Sequence, residues 1–163
     1  MPREVKTFDE LKSLVGEEIG VGGWVEITQD RVNRFADVTG DHQYIHVDPE
    51  RASKTMYRGT VAHGFLTLSL LPLLGRERSG VRIDLGGRMS VNYGLNRVRF
   101  PAPVPVGKRV RLRSRLLNAE EINPGQGPAG GPEAVQLTYQ QTVEVEGTEK
   151  PAMVAETLGR IYF

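Results

Sequence analysis

From residue 63 to residue 74 the chain reads HGFLTLSLLPLL, apolar on nearly every face of a helix. A helix of that kind has no wet side, so other structure must enclose it. The sequence that follows suits that task. After Gly86 it turns to strand patterns, with candidates at 88–93, 95–100, 134–146 and 152–163. Between them, 108–117 alternates cleanly: Val110, Leu112 and Leu116 fall on one face, Arg109, Arg111, Arg113 and Arg115 on the other. One enclosed helix followed by several long antiparallel strands predicts an α+β layering, a sheet wrapped around a central helix.

The first third of the chain supplies shorter helices. Thr7 and Glu10 are spaced as a capping box, Phe8, Leu11 and Leu14 follow at helical spacing, and Gly16 can end the helix. Residues 24–27 form a short strand candidate. A second helix is expected from Thr28, with Asp30 in its first turn, Val32, Phe35 and Ala36 on one face, and its end at Gly40. Asp48-Pro49-Glu50 reads as an N-cap followed by proline at the first helical position, which starts a third. Residues 123–132, NPGQGPAGGP, are mostly glycine and proline between two strand-like flanks, hence a hairpin loop rather than a domain linker. With 163 residues and no internal repeat, a single domain spanning 1–163 is expected.

Composition removes several function classes. A net charge of +1 does not suit bulk binding to nucleic acid. The absence of cysteine excludes a disulfide framework, a thiol nucleophile and a thiolate metal site. No apolar run reaches the roughly 18 residues of a membrane span, and MPREVKTFDELKSLVGEE lacks an apolar signal core. The expected setting is the cytoplasm, with no nucleic-acid or membrane partner.

The chemistry gathers in one stretch. All three histidines, His42, His46 and His63, lie between Phe35 and Leu71. Asp41 and His46 sit five residues apart between Gly40 and Pro49, a segment expected to be a loop, and loops on a rigid scaffold aim side chains at ligands. Carboxylate and imidazole form a proton-handling pair, because modest environmental shifts bring both toward neutrality. The plainer alternative is a turn-capping Asp41 and a satisfied, partly buried His46. Gly64 opens the apolar helix, where first-turn N–H groups lack partners and a glycine admits a ligand oxygen. Such donors, with the helix dipole, stabilise an oxyanion on a bound carbonyl. Close packing is the competing reason for a glycine there.

Other chemistries fit less well. His42 and His46 have the i, i+4 spacing of a helical metal pair, but Gly40 and Pro49 argue against helix between them. Ser69 and Ser79 lack a nucleophile-elbow motif, and Gly86-Gly87 opens no phosphate loop. Eight of the 21 basic residues lie between Leu85 and Ala119 with no acid among them. The alternating run from Arg109 to Arg115 reads as the solvated outer face of a sheet, while Arg97 and Arg99 stay open as anion contacts.

On these residues the chain resembles a known family. FADVTGDHQYIHVDPERA, residues 35–52, is similar to the signature of the MaoC-like dehydratases, also called R-specific enoyl-CoA hydratases or type 2 hydratases. That signature runs Phe-Ala-x-Leu/Thr-Ser/Gly-x-Asp-x-Asn-Pro-Ile-His-x-Asp, and AHGFLTLSLL follows it at the family's spacing. VNYGLNRVRFPAPVPVG, residues 91–107, looks like the nodulation-protein-N branch.

The resemblance implies a hot-dog fold, a homodimer, and action on acyl groups carried by coenzyme A, with no cofactor and no metal. It places the catalytic pair at Asp41 and His46, and the thioester oxygen at the backbone N–H of Gly64. Tyr44, His63, Asn92, Tyr93 and Arg99 become the substrate-binding candidates. Gln43 and Tyr44 depart from the family's Asn-Pro without touching a proton-transfer group. The implied reaction is (R)-specific hydration of trans-2-enoyl thioesters and its reverse. The rivals are a hot-dog acyl-CoA thioesterase and a non-catalytic acyl-thioester-binding subunit.

Overall fold

The computed structural model describes residues 3–76 and 79–163. Thr7 and Glu10 form the capping box that opens α1 (Phe8–Lys12), and Leu11 is its buried residue. Thr28 caps α2 (Gln29–Thr39), which ends where Gly40 takes the left-handed conformation, φ 76°. There a side chain would strain the backbone, so the glycine stops the helix and turns the chain toward Asp41. Asp48 accepts from the Arg51 N–H to start α4 (Pro49–Ser53). Between them lies one helical turn, α3 (Tyr44–Val47), where the sequence suggested only loop.

Among the described residues, eight strands form one sheet. They are β1 (Arg3–Val5), β2 (Glu18–Val21), β3 (Val25–Glu26), β4 (Ser79–Ile83), β5 (Met89–Arg99), β6 (Arg109–Ile122), β7 (Ala134–Val145) and β8 (Met153–Tyr162). Their order is β1-β4-β2-β6-β7-β8-β5, with β3 added on β6. Every pairing is antiparallel except β1 with β4. The two strands expected at 88–93 and 95–100 are one, β5, whose register on β8 shifts at Asn92/Gly94 and again at Leu95/Arg97. The 123–132 segment connects β6 to β7, as its composition required. Nothing in the sequence reading anticipated β1, β2 or β4.

The arginine face of β6 is paired rather than simply solvated. Arg109 binds Glu146 through both ends of its fork, Arg111 Nε reaches Glu144 at 2.6 Å, and Arg113 grips Glu18 at 2.8 and 2.9 Å. These cross-strand partners occupy the guanidinium groups that a phosphate would need.

The apolar segment differs from expectation in two ways. It is two short helices, α5 (Gly64–Ser69) and α6 (Leu71–Leu74), hinged at Leu70. Pro72 explains the break: it has no N–H to bond back into α5. Nor is the segment enclosed all round. Leu66, Thr67 and Leu74 are buried against the sheet, yet Phe65 is 70% exposed and lies 6.1 Å from the ring of Phe100. The sheet covers one side of these helices and leaves the other open along edge strand β5, where Met89, Tyr93 and Leu95 are also exposed. Beneath the helices the interior divides in two. One cluster joins α2 and α5 to Val110, Leu112, Val143, Met153 and Ala155; the other joins α1, β1 and β2 to Leu116, Val135 and Leu137.

Candidate active site

Asp41, His46 and His63 converge: one nitrogen or oxygen from each lies within 4.8 Å of the others. Twenty-two residues separate Asp41 from His63, so the meeting is a product of the fold. Asp41 comes from the turn after α2, His46 from α3 and His63 from the N-cap of α5. The Asp41 side chain is half exposed, with Oδ1 accepting from the Gln43 N–H at 3.3 Å. That short Asx turn aims the carboxylate.

His46 is held on several sides. Its Nδ1 lies 2.6 Å from the carbonyl of Val61, which fixes the proton on Nδ1 and leaves Nε2 with a free lone pair. Gln29 donates to the His46 carbonyl at 2.8 Å and accepts from the Thr60 hydroxyl at 2.6 Å. Val61 N–H bonds the Ile45 carbonyl, so the 60–62 segment is stitched to α3. At 8% exposure, His46 has its pKa pushed below 6.5 chiefly by burial. The Val61 carbonyl opposes that shift, nearby His63 adds to it, and Asp41 opposes it. The result is a neutral imidazole ready to accept a proton at neutral pH.

His63 is 3% exposed. Its ring stacks on His46 with centroids 3.8 Å apart and meets Phe35 at 5.0 Å. Its Nε2 lies 2.9 Å from the Asp41 carbonyl and 3.9 Å from Asp41 Oδ2. The two rings stack 26° from parallel, and each gives one nitrogen to a backbone carbonyl, Val61 for His46 and Asp41 for His63. His42, the other half of the helical metal pair weighed above, points away to Asp37 at 2.9 Å, outside α3.

Gly64 begins α5, so its N–H has no intrahelical acceptor. The helix is only six residues long, which leaves the N–H itself as the useful donor. A Cβ here would fall 2.9 Å from Cγ and Cδ2 of Phe100, so the ring occupies the space a side chain would need. Sequence reasoning missed Phe100, Gln29 and Val61. A carbonyl partner leaves no residue-type signal, and Gln29 looks like an ordinary first-turn residue.

The remaining substrate-binding candidates do not join this cluster. Tyr44 sits on α3 with the Arg51 guanidinium 4.3 Å from its ring. Asn92 and Tyr93 line an open groove of about 500 Å³ between α5–α6 and strands β5, β7 and β8, shared with Leu68, Leu71, Leu95 and Tyr139. Leu68 places that groove one helical turn past Gly64. Arg160 stacks on Tyr93 at 3.4 Å. Arg99, exposed at the end of β5, turns back on the carbonyl of Val98 at 2.7 Å.

Residues 10–127 match the family model of the MaoC like domain. The chain belongs to the MaoC-like dehydratase family. It is 50% identical over 159 residues to 3-hydroxyacyl-thioester dehydratase Z of Mycobacterium tuberculosis, covering 96% of this chain and 98% of that one. Nodulation protein N of Rhizobium leguminosarum bv. viciae is 41% identical over 155 residues, with 94% and 90% covered. Those relatives put this member in the nodulation-protein-N-like branch. Among solved structures, the monoamine oxidase regulatory protein from Archaeoglobus fulgius superposes with a TM-score of 0.75 at 22% identity, covering 99% and 97%. The (R)-hydratase from A. caviae gives 0.65 at 24% identity, covering 90% and 96%. The fold of this MaoC-like chain is the hot-dog, a sheet around a central helical segment. Among its described residues no helix is long and apolar enough to cross a membrane.

Proposed function

We propose that this chain is an (R)-specific enoyl-CoA hydratase, working in reverse as a 3-hydroxyacyl-CoA dehydratase. The observation that carries the reading is the meeting of a half-exposed Asp41 carboxylate with the imidazole of a buried, neutral His46, one ligand atom of each within 4.8 Å of the other, while the Val61 carbonyl holds His46 Nδ1. A water making ~2.8 Å bonds to both groups bridges such a gap at an angle close to tetrahedral. Full-length relatives named as thioester dehydratases supply the acyl-thioester class.

In the forward direction a trans-2-enoyl thioester sits with its carbonyl oxygen at the Gly64 N–H. The Asp41–His46 pair removes a proton from the bridging water as its oxygen bonds to C3. The C2=C3 π electrons move toward the carbonyl, and the enolate-like oxygen charge is held by the Gly64 N–H. The proton held by the Asp41–His46 pair then passes to C2 of the enolate, giving an (R)-3-hydroxyacyl thioester and returning the pair to its starting state. Charge at the carbonyl oxygen develops only along the reaction path, so this donor acts on kcat. The acyl chain runs from Gly64 into the groove lined by Leu68, Leu71 and Leu95, whose apolar walls suit it. A second copy of the chain covers the exposed edge of β5, whose open backbone and apolar side chains invite strand pairing.

The test is hydration of crotonyl-CoA followed by loss of enoyl absorbance, with free thiol measured in parallel. Hydration without thiol release is expected, and Asp41→Asn or His46→Ala should lower turnover on the order of 10²-fold or more. Thiol release matched to substrate loss would identify a thioesterase instead. Near wild-type turnover in either variant would remove that residue from the catalytic pair.

A further inference from the structure

His63 touches three of the elements that build the site. From the N-cap of α5 its ring lies between Phe35 of α2 and His46 of α3, and its Nε2 reaches the Asp41 carbonyl in the turn between them. The next residue is Gly64. One buried side chain therefore fixes where the carboxylate, the imidazole and the first N–H of α5 stand relative to one another.

The hydrogen bonds also set its tautomer. A carbonyl at 2.9 Å accepts, so Nε2 carries the proton. Nδ1 is buried with no partner among the described residues. A solvent-facing substrate contact would not leave its ring at 3% exposure between two aromatic neighbours. The arrangement is that of a brace behind the reacting groups.

We infer that His63 is a positioning residue, whose Nε2–H pins the Asp41 main chain and whose face packs the His46 ring, locking the pair in register with the Gly64 N–H. This rests on the hydratase reading of Asp41 and His46. The two duties separate chemically. The donor to the Asp41 carbonyl governs where the carboxylate stands. The stacked face governs how dry His46 is.

Two substitutions divide these duties. In His63→Gln the amide nitrogen stands the same number of bonds from Cα as Nε2, so the donor survives while the stacked ring is lost. In His63→Phe the ring survives and the donor is lost. The groups facing His46 are Asp41 from the turn after α2, the Val61 carbonyl and His63; α2 contributes Phe35 and Gln29, neither of them charged. Removing the His63 ring therefore chiefly lets water reach His46, and also withdraws the smaller contribution of His63 itself.

The experiment measures kcat, KM and the pH profile of crotonyl-CoA hydration for full-length wild type, both His63 variants, Asp41→Asn and His46→Ala. His63→Phe should lose about 10-fold or more in kcat with KM within about threefold, and its acid limb should move less than that of His63→Gln, because the ring that keeps His46 dry remains. His63→Gln should recover most of that kcat, and its acid limb should move up toward 6.5. If His63→Phe fails to fold, the acid limb of His63→Gln decides alone: unmoved, it overturns the proposal. A rise in KM at unchanged kcat would make His63 a substrate contact and also overturn it. So would wild-type kinetics in both variants while Asp41→Asn and His46→Ala are inactive, an outcome that leaves the hydratase reading intact. Activity surviving in the Asp41 and His46 variants is the separate failure of that reading.

Discussion

A methyl group at Gly64 would separate catalysis from packing. In Gly64→Ala the new Cβ falls 2.9 Å from two carbons of the Phe100 ring and 3.0 Å from a third. Non-bonded carbons prefer roughly 3.5–4.0 Å, so the ring must retreat by about 0.6–1 Å. Phe100 lies just past the end of β5 and is 40% exposed, so it can swing outward without disturbing the core. Overpacking of a yielding neighbour costs about 1–2 kcal/mol, or roughly 2–8 °C in Tm for a chain of this size. Against catalysis the same methyl stands beside the N–H proposed to hold the thioester oxygen. A misaligned donor should lower kcat/KM on the order of 10²-fold.

Phe100→Ala removes the obstacle. In the double variant Gly64→Ala/Phe100→Ala the clash is gone, so Tm should return to that of Phe100→Ala alone. The ligand oxygen still meets the methyl, so kcat/KM should remain low. Thermal melts and crotonyl-CoA kinetics on the same preparations give both numbers. Recovery of kcat/KM along with Tm in the double variant would refute the oxyanion role and leave Gly64 as a packing residue against Phe100.

The pH dependence has a defined sign. Burial holds His46 below 6.5, so the acid limb of kcat/KM should have its midpoint below 6.5, and stability should fall as pH drops through 6.5 because the unfolded chain takes a proton that the folded one resists. His42, shifted upward first by its bond to Asp37, has the opposite sign; His42→Gln should leave that acid limb in place, and a moved limb would implicate the wrong histidine. Sedimentation should give about twice the 18.1 kDa chain mass, and a fully active monomer at micromolar concentration would contradict pairing along β5. Arg113→Ala, losing Glu18 and Glu144 on a partly exposed face, should change the free energy of urea unfolding by less than about 1 kcal/mol and leave kcat/KM alone.

What the sequence disclosed depended on how local the cause was. The capping box at Thr7 and Glu10, the stop at Gly40 and the start at Asp48-Pro49 are decided within a few residues, and each appears where its spacing put it. Strands β1, β2 and β4 have three to five residues each, too few to establish a period, and they exist because neighbours offer them an edge. Apolarity around the 63–74 segment was real, but burial on all sides did not follow from it. Its composition carries no information about which flank the sheet reaches, and Pro72 divides it. At the site, residue type drew attention to Asp41, His46 and Gly64. It could not disclose that His63 crosses 22 residues to the Asp41 carbonyl, that Val61 orients His46, or that Phe100 fills the space over Gly64.

The unequal burial of Asp41 and His46 follows from what each would be asked to do. Taking a carboxylate fully out of water is costly, and Asp41 keeps its side chain half exposed on its turn. An imidazole needs the reverse. Out of water it resists protonation, keeps Nε2 open near neutral pH and has its tautomer chosen by one carbonyl. The fold supplies both environments a few ångströms apart by placing Asp41 outside the end of α2 and tucking α3 back against the 60–62 segment. Gly40 makes the first placement and Gln29 with Val61 makes the second. Exchanging the two positions would leave a buried acid and a solvated base, a neutral pair of carboxyl and imidazole displaced from each other's working pH. The order Asp-then-His along the chain is thus tied to which side of the turn faces water.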